Sequence, residues 1–221
     1  MQRYRLLVYP HAAILTESHA ALLKAYVEAG GTLALGARTG FKDEYGRCPM
    51  RTMPGWFADW LGVSVDEYSL VHPEEPQTVL WKGRGLPMPV FAEKLNACDS
   101  ETVLARYRDS EQTPALCIKK LGRGAVYYWG GCFSEESACA LLEETGCNAP
   151  MSALVELPDD VELTVRAEGA ERWLFLLNYS SVRQAVRVLR PMTDMLSDTV
   201  LEGEGSVEPF GVRVLRDRLG E

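Results

Sequence analysis

Tyr26-Val27-Glu28-Ala29-Gly30-Gly31-Thr32-Leu33-Ala34-Leu35-Gly36-Ala37-Arg38-Thr39-Gly40-Phe41-Lys42-Asp43-Glu44 is the stretch whose pattern decides the fold. It closes a helix, runs a buried strand and opens a polar loop. Upstream, Leu22, Leu23, Tyr26 and Val27 recur at helical spacing, Thr16 is placed to cap the helix start with Glu17 in its first turn, and Gly30 supplies the stop. Before the helix, Leu6-Leu7-Val8-Tyr9 is an unbroken apolar run between Arg5 and Pro10, the pattern of a strand covered on both faces. Strand, helix and strand in this order predict a β-α-β unit with a right-handed crossover, and so a parallel α/β sheet.

Downstream, Gly36 to Pro54 is rich in Gly, Arg, Asp and Pro without periodicity, too long for an ordinary connection and therefore expected to be a functional or interface loop. Arg38, Phe41, Asp43, Glu44, Tyr45 and Arg47 are its candidate interface residues, because they combine both charge signs with aromatic rings. Trp56, Phe57, Trp60 and Leu61 follow at helical spacing and are expected in the core. Gly62 to Tyr68 turns into a short strand. His72-Pro73-Glu74-Glu75-Pro76 and Gly83-Arg84-Gly85-Leu86-Pro87-Met88-Pro89 carry loop chemistry around a strand at Thr78 to Trp81. Strands are expected at Val103 to Tyr107, Ala115 to Lys119 and Ala125 to Trp129, the last two joined in a hairpin through Gly122-Arg123-Gly124. A helix over Glu135 to Thr145 has Ser134 as cap and Gly146 as stop.

After Pro150 the period changes to two. Val161, Leu163 and Val165 alternate with Glu162, Thr164 and Arg166, and Val186, Val188, Val200, Val212 and Val214 mark further strands. Trp173, Phe175 and Leu177 alternate onto one face, expected to be core rather than a sugar-stacking surface. The sequence therefore divides into an α/β domain over residues 1–150 and a small antiparallel, β-sandwich-like domain over residues 151–221.

Composition narrows the function. A net charge of −8 argues against polyanion partners, and Arg183, Arg187 and Arg190 read as the wet side of a strand and its turn. The start lacks the apolar core of a signal peptide, and no segment approaches the roughly 20 apolar residues that span a bilayer, so a cytoplasmic protein without a membrane partner is expected. Cys48, Cys98, Cys117, Cys132, Cys139 and Cys147 form no C-x-x-C pair and are expected as reduced thiols. With three histidines, none beside these cysteines, no metal site is expected, and no cofactor either.

The Tyr4 to Pro10 strand, the Val27-Glu28-Ala29-Gly30-Gly31-Thr32 join, the Gly40-x-x-Asp43-Glu44 loop start and the Gly122-Arg123-Gly124-Ala125-Val126-Tyr127-Tyr128 hairpin together resemble the middle domain of family 42 glycoside hydrolases. Leu174-Phe175-Leu176-Leu177-Asn178-Tyr179 and Pro209-Phe210-Gly211-Val212-x-Val214-Leu215 resemble that family's C-terminal β domain. The resemblance implies a flavodoxin-like fold related to class I glutamine amidotransferases, association into a homotrimer, and a (β/α)8 barrel partner that cleaves terminal β-galactosides with two glutamates. Retaining hydrolysis needs those carboxylates roughly 5 to 5.5 Å apart. The family's acid/base glutamate follows an asparagine, and this sequence contains no Asn-Glu dipeptide, so no catalytic residue is assigned. Because the resemblance starts three residues after Met1, the barrel is expected to be missing, as in an engineered fragment or a split gene.

Two rival functions have sequence support. His72-Pro73-Glu74 matches the motif that activates a nucleophilic cysteine in amidotransferases, with Gly46-Arg47-Cys48-Pro49-Met50 the nearest approach to the required Gly-x-Cys-x-Gly elbow. That segment lacks the second glycine and follows no strand. A carbohydrate-binding module would use Trp173, Tyr179 and Phe210. No Gly-x-Ser-x-Gly elbow or phosphate loop is present.

Overall fold

The computed structural model describes residues 3–97, 102–109, 111–147 and 153–218. The fold is mostly β. The chain divides into two compact units, Met1–Asn148 and Ala149–Glu221.

In the first unit β1 (Leu6–Tyr9), α1 (Glu17–Glu28) and β2 (Thr32–Leu35) form the expected β-α-β unit, with β1 and β2 parallel. Thr16 caps α1 by accepting the His19 N–H at 3.2 Å. The two glycines after the helix serve different ends. Gly30 takes a φ of 112° beyond the C-cap Ala29, whereas a Cβ on Gly31 would lie 2.2 Å from the Tyr26 ring. The Tyr26 hydroxyl then donates to the carbonyls of Tyr4 and Thr32 at 3.0 and 3.2 Å, stapling the helix over both strand ends.

The doubly covered parallel sheet expected from this start is present only in part. A seven-stranded sheet runs in the order β1-β2-β9-β8-β7-β4-β5, where β4 is Gln77–Trp81, β5 Arg84–Met88, β7 Val103–Tyr107, β8 Pro114–Leu121 and β9 Gly124–Trp129. Only β1, β2 and β9 are parallel; from β9 to β5 every neighbour is antiparallel. The reason is connection length. A parallel pair needs a long crossover, usually helical, and apart from α1 the described helices of this unit are the four-residue α2 (Ala58–Leu61), continuing a 3-10 turn at Gly55–Phe57, and α3 (Glu135–Glu144). With so little helix to cover it, β1 is a half-bare edge strand whose Val8 and Tyr9 are exposed, contrary to its apolar run.

Residues 83–89 are not a loop. Lys82 and Gly83, both at positive φ, make a two-residue turn that folds Arg84–Met88 back on β4, and Pro87 is tolerated because β5 is the sheet's last strand. A second, two-stranded sheet pairs β3 (Val63–Leu70) with β6 (Phe91–Ala97), an element without a sequence expectation. Phe57 and Leu61 are buried as expected, while Trp56 and Trp60 pack against that core partly exposed. Ser134 and Ser137 form a reciprocal capping box on α3.

The second unit is a single six-stranded antiparallel sheet rather than a two-sheet sandwich. Its strands are β10 (Val155–Glu156), β11 (Val161–Glu168), β12 (Glu171–Asn178), β13 (Gln184–Asp194), β14 (Thr199–Val207) and β15 (Val212–Arg218). The 11-residue β13 carries an irregularity between Val188 and Met192 and pairs with β10, β14 and β15, so one long bent strand does the work of a sheet junction. The expected core face of β12 is also inverted. Leu174, Leu176 and Asn178 point inward and are buried, while Trp173, Phe175 and Leu177 lie on the half-exposed side.

Polar groups close this unit. The buried Asn178 amide donates to the carbonyls of Val182, Val207 and Glu208 and accepts from Ser180. Asp217, almost fully buried, is held by both Arg172 and Arg190, and Asp194 takes Arg213 at 2.6 Å. Arg183 and Arg187 are paired with Glu208, Glu156 and Glu204, which neutralises the modest basic cluster.

Candidate interface site

The loop after β2 begins with a turn that sequence reasoning passed over. Gly36-Ala37-Arg38-Thr39-Gly40 leaves the strand sharply, with Arg38 at φ 66°. A non-glycine residue in the left-handed region costs on the order of 1 kcal/mol, so something must hold it. The Arg38 N–H donates to Glu93 Oε1 at 2.8 Å, Thr39 Oγ1 donates to the Gly36 carbonyl at 2.7 Å, and the Gly40 N–H donates to the Ala12 carbonyl at 2.8 Å. Gly36 is required for space, since a Cβ there would sit 2.0 Å from the Pro10 carbonyl oxygen.

Glu93 is the unusual member. It is buried on β6, and its second oxygen accepts from the Tyr128 hydroxyl at 2.8 Å. Burial raises its carboxyl above the ordinary value, outweighing the lowering from the Arg38 N–H, the Tyr128 hydroxyl and the nearby charges of Arg38 and His11. The Tyr107 hydroxyl braces the same segment by donating to the carbonyls of Glu93 and Gly130, each at 3.0 Å.

Fixed in this way, Arg38 extends among three rings. Its Cζ lies 3.5 Å from the Phe41 centroid and 4.9 and 5.0 Å from those of Tyr68 and Phe91. Tyr68 and Phe91 stack at 5.4 Å, and Phe41 meets Tyr68 edge-on at 6.0 Å. Among the described residues, no carboxylate lies within ion-pairing distance of the Arg38 guanidinium, the threshold that the other pairs meet.

The remaining loop residues divide by role. Asp43 is turned onto its own loop: its carboxylate accepts the N–H groups of Tyr45 and Arg47 at 2.9 and 2.8 Å and pairs with the Arg47 side chain at 3.4 Å. Those contacts, the Arg47 N–H first, hold its carboxyl below the ordinary range. Arg47 lies over the Tyr45 ring at 4.7 Å, and Glu44, Tyr45 and Met50 stand exposed. The loop is closed at its base where Gly40 and Gly55, both at positive φ, meet backbone to backbone. Thus Arg38 and Phe41 form one constellation, while Asp43, Tyr45 and Arg47 form a separate self-contained turn.

The amidotransferase constellation is not assembled. Cys48 Sγ takes Lys42 Nζ at 3.3 Å and His72 Nδ1 takes the Glu74 N–H at 3.3 Å, with no hydrogen bond between the two side chains. Among the described residues no cluster of His, Cys, Asp and Glu could hold a metal ion, and no helix is long and apolar enough to cross a membrane. The five described cysteines are free; Cys98 lies outside the described residues.

The family model described as the β-galactosidase trimerisation domain matches residues 1–151, and that of the β-galactosidase C-terminal domain matches residues 160–217. The chain belongs to glycoside hydrolase family 42. Within that family it is 31% identical over 188 residues to the β-galactosidase LacZ of Heyndrickxia coagulans, covering 84% of this chain and 28% of the relative. The β-galactosidase Pbg of Clostridium perfringens is 25% identical over 225 residues, covering 97% and 33%. The chain thus spans about a third of the length of the curated family 42 relatives it matches. Its fold is shared with a catalytic mutant of Gan42B, a family 42 β-galactosidase from G. stearothermophilus, with a TM-score of 0.84 at 24% identity over 99% of this chain and 32% of that one. The β-galactosidase of the Antarctic haloarchaeon Halorubrum lacusprofundi aligns with a TM-score of 0.76 at 26% identity over 97% and 31%.

Proposed function

We propose that this chain is the oligomerisation and C-terminal portion of a β-galactosidase, acting through assembly and contributing no catalytic residue of its own. The match of both family 42 domains, in order and over nearly the whole length, carries this reading. The parent enzyme hydrolyses terminal β-galactosides on a barrel that is this chain's partner, in the cytoplasm, as a homotrimer. Supporting the assembly role, the loop that leaves β2 sets among rings an arginine without a close ion pair among the described residues, and places Glu44, Tyr45 and Met50 in solvent. The β1-α1-β2 unit with parallel β9 supports a distant kinship to flavodoxin-like and amidotransferase-like sheets, with an antiparallel meander added at one side.

The experiment is a pair of measurements on the purified chain. Light scattering at micromolar concentration should return about three times 24.6 kDa, and an aryl β-galactoside should be hydrolysed no faster than in buffer. A monomer would overturn the assembly role; turnover abolished by replacing one glutamate would overturn the absence of catalysis.

A carbohydrate-binding accessory role is favoured by one observation. Tyr179 and Phe210 are both strongly exposed on turns joined by the Phe210 N–H to the Ser180 carbonyl at 3.1 Å, which leaves two ring faces free for a sugar. Titration with a galacto-oligosaccharide, followed by tyrosine and phenylalanine ring signals in NMR, tests it.

A further inference from the structure

The guanidinium of Arg38 makes no close ion pair among the described residues, although its charge is felt by the buried Glu93 carboxyl. Its backbone is fixed in a left-handed turn by the buried Glu93, and one face of its side chain is covered by Phe41. A stacked guanidinium keeps its edge N–H groups free and in a known direction, which suits it to a planar, two-oxygen acceptor. Around it lies exposed apolar surface: Tyr68 at 52%, Leu70 at 81% and Val90 at 59% of full exposure. Val90 is itself at φ 64°, an uncommon conformation for a β-branched residue, and it directly precedes Phe91 of the ring cluster. Two strained non-glycine residues therefore frame a cation set in an apolar surface, within the span that matches a trimerisation domain.

We propose that Arg38 recognises a carboxylate side chain of a neighbouring copy of this chain, with Tyr68, Leu70 and Val90 as the apolar contact around that pair. The proposal rests on the trimeric reading above and names the partner of this loop within it. Charge balance favours an acidic protein group over other occupants, since the chain carries 31 acidic and 23 basic side chains and every neighbour offers a surplus of carboxylates. In a three-fold ring the contact is head-to-tail, so a surface meets a different surface of the next copy. The acceptor is therefore an Asp or Glu outside this patch.

The test converts the contact into a covalent bond. Unlabelled and ¹⁵N-labelled chains, both carrying Arg38→Lys, are mixed and treated with a water-soluble carbodiimide, which joins an amine to a touching carboxylate with loss of water and no spacer. Mass spectrometry should find position 38 linked to an Asp or Glu of the differently labelled copy. In parallel, Arg38→Gln should raise the concentration needed for trimer formation at least tenfold while leaving the far-ultraviolet circular dichroism unchanged, and Arg38→Lys should recover part of that loss. Links from position 38 confined to the same copy, or a trimer indifferent to Arg38→Gln, would overturn the role of Arg38 and leave the trimer standing. A chain that is monomeric without any substitution would remove the assembly reading and this proposal together.

Discussion

Glu93 and Arg38, 55 residues apart in sequence, are joined by a 2.8 Å hydrogen bond from the arginine backbone N–H to a buried carboxyl oxygen. The bond ties the two-stranded β3-β6 sheet to the end of β2. It also places an ionisable group where its charge is poorly solvated, and that has a measurable signature.

Burial raises the Glu93 carboxyl above its ordinary value in the folded chain. Between the unfolded and folded values the native state holds more protons, so this group makes stability fall as pH rises through that window, then level off. In Glu93→Gln the amide oxygen still accepts from Arg38 and its nitrogen can donate to Tyr128. Urea denaturation should therefore show the variant gaining on the parent as pH rises from the ordinary glutamate range through the raised value of the folded chain. A constant difference across that range would show that Glu93 does not titrate with folding.

The Gly40–Gly55 contact predicts a strongly non-additive pair. A Cβ on Gly40 would come within 2.7 Å of the Pro54 carbonyl oxygen, and one on Gly55 within 2.7 Å of the Gly40 oxygen, both on left-handed backbone. Each alanine substitution should cost about 1 to 3 kcal/mol, and the double variant clearly less than the sum, because either change already parts the two strands of chain. Denaturation midpoints of the three variants check this.

Asp217 anchors the second unit. Burial alone would raise its carboxyl, but hydrogen bonds from Arg190 and Arg172 outweigh burial and hold it below the ordinary range. Its contribution is present above the unfolded carboxylate value and lost as pH falls through the lowered one. Asp217→Asn leaves two arginines without their shared counter-charge and should cost about 3 kcal/mol at neutral pH. It should also flatten the acid limb of the stability profile for this unit.

Thiol chemistry should follow burial. Cys48 and Cys139 are exposed and should react with a maleimide in the folded chain, whereas Cys117 is buried, its thiol pushed up to about 12, and should react only on unfolding. Under denaturant without reductant all six should be labelled. Protection of any pair would reveal a disulfide.

What was legible in the sequence was local. The β1-α1-β2 unit could be read because a helical stripe, a cap and a Gly-Gly stop agree within 30 residues. The phase of β12 could not, because both of its faces are apolar. Leu174 and Leu176 are buried and Trp173 and Phe175 are not, a choice made by partners such as Leu215 on β15, some 40 residues later. The β4-β5 hairpin was hidden by Pro87, whose acceptability depends on β5 being an edge. In the candidate site, Asp43, Tyr45 and Arg47 are neighbours in sequence and in space. The support of Arg38 comes from Glu93, Tyr68 and Phe91, which no spacing rule connects to it.

The glycine contact at the base of the loop also acts as a clasp. Residues 41–54 form a hoop whose two ends are pinched together, so a change of length at its crown, around Gly46, where a side chain would meet nothing within 4 Å, transmits no strain to β2. The crown is thus free to be recoded, whereas Phe41 and Lys42 at the start of the hoop, which meet Arg38 and the Ile14 segment, hold the turn presenting Arg38 in place. A protein built this way can change what its crown touches without rebuilding the sheet that carries it.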